Sequence, residues 1–257
     1  MSGPKLIARL REHDWLSAVI ELVIVVAGIL LALQVNNWNQ DRIDRSHADG
    51  YYRRIHAELL ADRQGMDDAF TFWGAVSVYA DAAMAHSERG ELRDGSAWKT
   101  VLAYYQAGQL MPFELEDTTF REMRDGGYLG LIVDERLRKR LADYYRLSGS
   151  GIRSGLLHHD PVYRMQIRGL TPWHVQQYVW DHCFKQLEGA RQELIDCPSP
   201  IGDAEASTLL GAYRQSDTLL QNLRIWQSTL KVSTLVIDYA RKDADRLAAE
   251  VDAAWHR

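Results

Sequence analysis

The side chains best placed to do chemistry in this sequence are His158-His159-Asp160, with His174 and His182 downstream, and the pair Cys183 and Cys197. A shared metal ion needs ligands that converge. Adjacent histidines on a helix point about 100° apart, so His158 and His159 do not easily hold one ion. His174 and His182 are eight positions apart, about 12 Å along a helix and also too far. Solvated or packing histidines are therefore expected, with no metal and no cofactor. The common catalytic signatures are missing as well: no G-x-S-x-G, no H-E-x-x-H, no G-x-x-x-x-G-K and no G-x-G-x-x-G after a strand. The acidic stretch Glu114-x-Glu116-Asp117 is expected to cap the helix after it, because anions favour helix N-termini.

Cys183 and Cys197 are the only cysteines, fourteen positions apart. In an oxidising compartment such a pair is normally bonded, and in the cytosol it normally stays reduced. A single helix from Pro172 to Leu194 would put Cys183 about 16 Å from its end. A disulfide needs Cα atoms within about 7 Å. Bonding therefore requires the helix to stop near Gly189, with residues 190–197 folding back. The alternative is two unrelated small apolar residues, Cys183 packing beside Val179 and Leu187.

These side chains must be carried by elements, and the first element is a membrane segment. Residues 16–33 read LSAVIELVIVVAGILLAL, with one charge, Glu21. Trp15 and Trp38 flank the run 23 positions apart, roughly 34 Å at the helical rise, which matches the spacing of the two headgroup layers. No small-x-small cleavage site follows at Gln34-Val35-Asn36-Asn37-Trp38, so a retained signal anchor is predicted. Glu21, Val25, Gly28 and Ala32 share one helical face, and Gly28-x-x-x-Ala32 lets two helices approach closely. Either Glu21 reaches back to the headgroups, or a partner helix shields it in a homo-oligomer. Lys5, Arg9 and Arg11 before the span nearly balance Arg42, Arg45 and Arg53 after it, so loop charge leaves the orientation a near tie.

The chain has 257 residues, of which 46% are hydrophobic and 25% charged, ordinary globular values. The six prolines leave the stretch between Pro4 and Pro112 empty, which favours long helices. Within residues 1–38, Lys5, Arg9 and Arg11 cancel Glu12, Asp14 and Glu21, so the remainder carries the whole net charge of −5. Its basic residues are interspersed with acidic ones, which argues against nucleic-acid binding.

The expected fold is mainly α. A cytoplasmic segment (1–14) leads into the transmembrane helix (15–38) and then a helical soluble domain (39–257). That domain divides into a stalk helix over 39–88, central helices over 96–200 and C-terminal helices over 204–256. Tyr52, Ile55, Leu59, Asp62, Met66, Ala69, Trp73, Val76, Ala80 and Ala83 alternate by three and four, with Asp62 the one polar member. Leu219, Leu223, Trp226, Leu230, Ser233, Ile237, Ala240, Ala244, Leu247, Val251 and Ala254 do the same. Such spacing predicts two long helices packed along a narrow seam, within one chain or as a coiled coil between chains. Between them a helix is predicted over 96–109. Thr119-Phe120-Arg121-Glu122 reads as a capping box opening another, which Gly126-Gly127 closes. Asp134 caps a helix to about Leu147. Residues 148–155 are a loop or a weak point in a longer helix, and Pro172 occupies the first position of the next.

Two blocks resemble a known family. Residues 21–39, ELVIVVAGILLALQVNNWN, precede a charged helix with Tyr52-Arg53-Arg54-Ile55 and Glu58-Leu59. Together these look like the opening of an uncharacterised bacterial family of single-span membrane proteins, classed as a domain of unknown function. Phe120-Arg121-Glu122-Met123, Gly127-Tyr128-Leu129, Ile132, Leu137, Leu141 and Tyr144-Tyr145 resemble that family's central block. Met123 and Gly126-Gly127 stand where leucine and serine-glycine are expected. The resemblance implies an anchor and a helical domain, and it brings no activity or catalytic residue.

The leading functional expectation is a non-enzymatic scaffold, partner-binding or sensor module in the inner membrane, with its soluble domain on the periplasmic side. Its partners would be the lipid bilayer, an unknown protein and a second copy of itself. A cytosol-facing anchored effector and an anchored hydrolase are the alternatives.

Overall fold

The structure, a computed structural model, describes residues 4–111, 113–156, 160–188 and 191–256, with side chains from Trp15 onward except at 16, 18 and 147–156. Among the described residues the chain forms eight helices and one two-stranded sheet: α1 (Pro4–Arg89), α2 (Ala97–Gln106), α3 (Thr118–Asp125), α4 (Glu135–Leu156), α5 (Val162–Leu170), α6 (Trp173–His182), β1 (Phe184–Gln186), β2 (Gln192–Leu194), α7 (Asp203–Gln215) and α8 (Leu219–Trp255). The chain divides into two compact units, Met1–Tyr51 and Tyr52–Arg257, and α1 contributes to both.

In the first unit every described side chain from Trp15 to Ile43 is exposed. One 18-residue window has a mean hydropathy of 2.4 with none of it buried, so this helix is long and apolar enough to cross a membrane. Past Trp38 the surface becomes polar, and Gln40 donates to Asp44 one turn on at 2.9 Å.

In the second unit, residues 52–89 of α1 form one wall and α8 another. Nine of the ten heptad positions on α1 are buried, Tyr52 being half-buried, and ten of the eleven on α8 are buried. Polar pairs give the direction of packing. Arg63 meets Asp245 at 3.1 Å and Asp67 meets Arg241 at 2.7 Å. Gln227 donates to Ser77 Oγ at 2.7 Å and to Asp81 at 2.8 Å, and Arg224 meets Glu88 at 2.5 Å. Numbers rise along α1 as they fall along α8, so the two helices run antiparallel within one chain. Exposed pairs of this kind contribute at most about 1 kcal/mol each, whereas each buried Leu, Ile, Val or Met contributes roughly 1.5–3 kcal/mol. The seam holds the helices together and the ion pairs set their register. α4 also packs against α8, where Arg140 bonds both Asp243 (2.9 Å) and Glu250.

α2 is enclosed, with nine of its ten side chains buried. Ser96 opens it by accepting the Lys99 N–H at 3.2 Å. At its other end Trp226 Nε1 donates to Ala107 O at 2.7 Å, a carbonyl that the helix end leaves open, and Arg164 donates to Gly108 O in the turn that follows at 2.6 Å.

Several expectations change. The helix predicted over 96–109 is shorter at each end, and Gly108 and Gln109 belong to a turn. Pro112, which follows this segment, lies outside the described residues. Pro172 is the residue before the first turn of α6 rather than its first member. Residues 148–155 are helical within α4. α5 and the β1–β2 hairpin were not anticipated.

Candidate functional site

The heptad on α1 turns Asp62 inward, and there it is 1% exposed. A lone carboxylate in an apolar seam needs donors, and two distant segments supply them. The Glu116 backbone N–H donates to Oδ1 at 2.7 Å, and the Tyr144 hydroxyl donates to Oδ2 at 2.9 Å. No ion pair reaches Asp62 among the described residues. One turn earlier on α1, Glu58 accepts the Thr119 N–H at 3.0 Å and the Thr119 hydroxyl at 2.5 Å. Glu58 thus places an anion at the N-terminus of α3, where the helix dipole and open N–H groups favour it. Arg54 completes the row by forking onto Glu122 of α3 at 2.7 and 3.1 Å.

The expected capping box is therefore absent. Asp117 precedes α3 without a side-chain cap bond and pairs instead with Arg121 at 2.8 Å. Thr119 turns to Glu58 and Glu122 turns to Arg54, so the capping groups come from another helix. Gly126 and Gly127 do end α3, with Gly127 at φ 76°, the left-handed conformation that suits glycine. Asp134 accepts the N–H groups of Arg136 (2.9 Å) and Leu137 (3.2 Å) to open α4. α4 brings in the tyrosine pair, both members buried. Tyr145 stacks on Phe120 with centroids 4.8 Å apart, and its hydroxyl has no partner among the described residues. Gly65 is the seat for the segment before Glu116, because a Cβ there would lie 2.5 Å from the Phe113 ring.

Burial pushes the Asp62 carboxyl up to about 7, with the Glu116 and Glu58 charges adding to the rise and its two hydrogen bonds opposing it. Burial also raises Glu58, against the pull of its Thr119 bonds. The hydroxyls of Tyr144 and Tyr145 are pushed up by burial and by the nearby Asp62 charge, so both stay protonated. The arrangement can hold or release one proton at Asp62 near neutral pH. No group of three or more His, Cys, Asp or Glu positioned to hold a metal ion occurs among the described residues.

The cysteines lie elsewhere in the same unit. α6 ends at His182, well before Gly189, which lies outside the described residues. The chain returns through the hairpin, where Phe184 pairs with Leu194 and Gln186 with Gln192. This brings the Cys183 and Cys197 Cα atoms to 5.2 Å, and the two sulfurs are bonded. The clasp is tied to the core at several points. Trp98 Nε1 donates to Cys197 O and Gln106 Nε2 to Cys183 O, both at 2.8 Å. Arg93 forks onto Asp196 at 2.8 and 3.1 Å, and the Tyr79 hydroxyl reaches the same carboxylate at 2.9 Å.

His174 and His182 do not converge. His174 is exposed beside Glu205 at 3.3 Å, and His182 stacks on Tyr178. His158 and His159 lie outside the described residues. His86, not singled out from sequence, is buried with its Nδ1 3.0 Å from the Tyr104 hydroxyl. In the first unit Trp15, Glu21, Val25, Gly28, Ala32 and Trp38 are all exposed, and a Cβ at Gly28 would meet nothing within 4 Å. Comparison with family models, curated proteins and solved structures gives no match.

Proposed function

We propose that this chain is a membrane-anchored helical module that acts by binding a partner or signal, with its folded unit outside the inner membrane. One observation carries the anchor: a long apolar helical stretch with no residue buried against protein. Exposing twelve large aliphatic side chains between Val19 and Val35 to water is costly, and lipid removes that cost. The Cys183–Cys197 bond supports an oxidising compartment for the folded unit. The face Glu21, Val25, Gly28 and Ala32, uncovered in the single chain, is the packing surface for a second copy. The two sequence blocks that resemble an uncharacterised single-span family belong to the same reading.

The test uses the full chain in its native membrane. Alkaline extraction should leave it in the pellet. An impermeant thiol reagent should label Cys183 and Cys197 only after reduction, and as soon as the outer barrier is opened. Release by alkali would refute the anchor. Labelling without reduction, and only after inner-membrane lysis, would place the unit in the cytosol and make an anchored effector the better reading.

A further inference from the structure

We infer that the junction of α2 and α5 is a binding site for a small oxyanion, a phosphate or a carboxylate, held by Arg164, Arg168 and Gln109. The inference starts from polar atoms with nothing to bond. Eight buried side-chain nitrogens and oxygens lack a hydrogen-bond partner among the described residues, and four of them lie on Gln106, Gln109, Arg164 and Arg168. Three of those four are donors: Gln109 Nε2, Arg164 Nε and Arg168 Nη2. Arg164 Nε has the Asp160 carboxylate 3.3 Å away as an ion-pair partner. A buried donor without an acceptor costs about 1–3 kcal/mol, more when it is charged, so it is Gln109 Nε2 and Arg168 Nη2 that call for an acceptor.

The geometry draws them together. Arg164 and Arg168 are one turn apart on α5. Arg164 Nη1 donates to Gly108 O at 2.6 Å and to Gln109 Oε1 at 3.3 Å, which places the Gln109 amide nitrogen beside the guanidinium. Arg168 lies over the Trp180 ring at 5.5 Å. Its backbone carbonyl is held by Gln176, whose Oε1 accepts from the Tyr105 hydroxyl at 3.2 Å. Gln109 is 2% exposed and the Arg164 side chain 13%.

Charge points the same way. Among the described residues the carboxylate paired with this arginine pair is Asp160, which sits 3.3 Å from Arg164 Nε and is itself half in solvent. Burial and the neighbouring Arg168 charge depress Arg164 to about 10, the sign of a cation short of counter-charge. Planar guanidinium forks and an amide N–H are the groups that hold carboxylate and phosphate oxygens.

The experiment uses the full chain in detergent, equilibrium dialysis with radiolabelled inorganic phosphate, and acetate as competitor at constant ionic strength in chloride. Saturable binding of one phosphate per chain is expected. Arg168→Gln should weaken it about 10- to 100-fold, the loss of one or two charge-assisted bonds. Gln109→Glu places an internal carboxylate among the donors and should abolish binding while raising the melting temperature. Phosphate binding that acetate does not displace identifies a phosphate ligand. Displacement by acetate at lower concentration than phosphate identifies a carboxylate ligand. No saturable binding of either, or binding that both variants leave unchanged, overturns the inference.

Discussion

Replacing Asp62 by asparagine tests the reasoning about the buried carboxylate most directly. The folded state raises the Asp62 pKa from 3.8 to about 7, so it holds the proton more tightly than the unfolded chain. Stability from this source is complete below about pH 4 and is lost as pH rises toward 7. At about 1.36 kcal/mol per pH unit the loss is about 4 kcal/mol in all. The substituted asparagine has the same shape and no charge, so the variant should lack this slope. Its amide can accept the Glu116 N–H and donate to the Tyr144 oxygen, which leaves the tyrosine proton to find another acceptor. That mismatch costs about 1 kcal/mol. At pH 8, Asp62→Asn is therefore expected to be more stable than the parent by about 3 kcal/mol, and at pH 4 slightly less stable. For a folded unit of this size 1 kcal/mol moves the melting temperature by about 2–4 °C. The assay is thermal unfolding of the detergent-solubilised chain from pH 4 to 8, followed by circular dichroism, for both proteins. Parallel pH profiles would refute the reasoning. So would a variant that is less stable than the parent at pH 8, since Asp62 would then be a well-compensated anion.

Other perturbations have definite expected outcomes. Breaking the Cys183–Cys197 bond by Cys197→Ser frees a loop of 14 residues and should cost about 3 kcal/mol. The melting temperature should fall by about 6–12 °C, and a fall under about 2 °C would show that the core ties hold the clasp without the bond. Glu58→Ala removes the acceptor for the Thr119 N–H and hydroxyl. It should cost about 1–2 kcal/mol, with faster amide exchange confined to α3; an unchanged α3 would contradict the capping role. Gly28→Leu fills the small-residue face of the apolar segment and should abolish crosslinked dimers in native membranes. Dimers that survive it, or monomers in both proteins, would remove that face as the packing surface.

Particular residues show where sequence reasoning reaches and where it ends. The seams of α1 and α8 were readable because a spacing of three and four persists over ten positions, more than chance arrangement produces. The same pattern exposed Asp62 as the odd member. Nothing local revealed its donors, since Glu116 and Tyr144 lie 54 and 82 positions away. The capping box misled for a related reason. Thr119 and Glu122 have the right spacing, but Glu58 and Arg54 offer charged partners across a helix interface, and a charge-assisted bond outcompetes a neutral one. α5 has nine residues with two buried positions, Tyr163 and Ile167, too few to display a period. The strands of the hairpin have three residues each, too short for alternation to appear. Gln109 and Arg164 are 55 positions apart, so their shared interior was invisible until the helices were packed.

By itself the sequence determined the properties that depend on composition and period. These are the mainly helical class, the apolar stretch between Trp15 and Trp38, the inward faces of α1 and α8, and the absence of familiar catalytic motifs. Hydrophobic spacing decides which side of a helix seeks burial, and it acts over a few neighbouring residues. Tertiary structure alone decided the antiparallel pairing of α1 with α8, the partners of Asp62 and Glu58, the closure of Cys183 onto Cys197, and the gathering of Arg164, Arg168 and Gln109. Each of these is a hydrogen bond or charge contact between residues far apart in the chain. Its strength depends on distance and burial, quantities that exist only once the chain has folded.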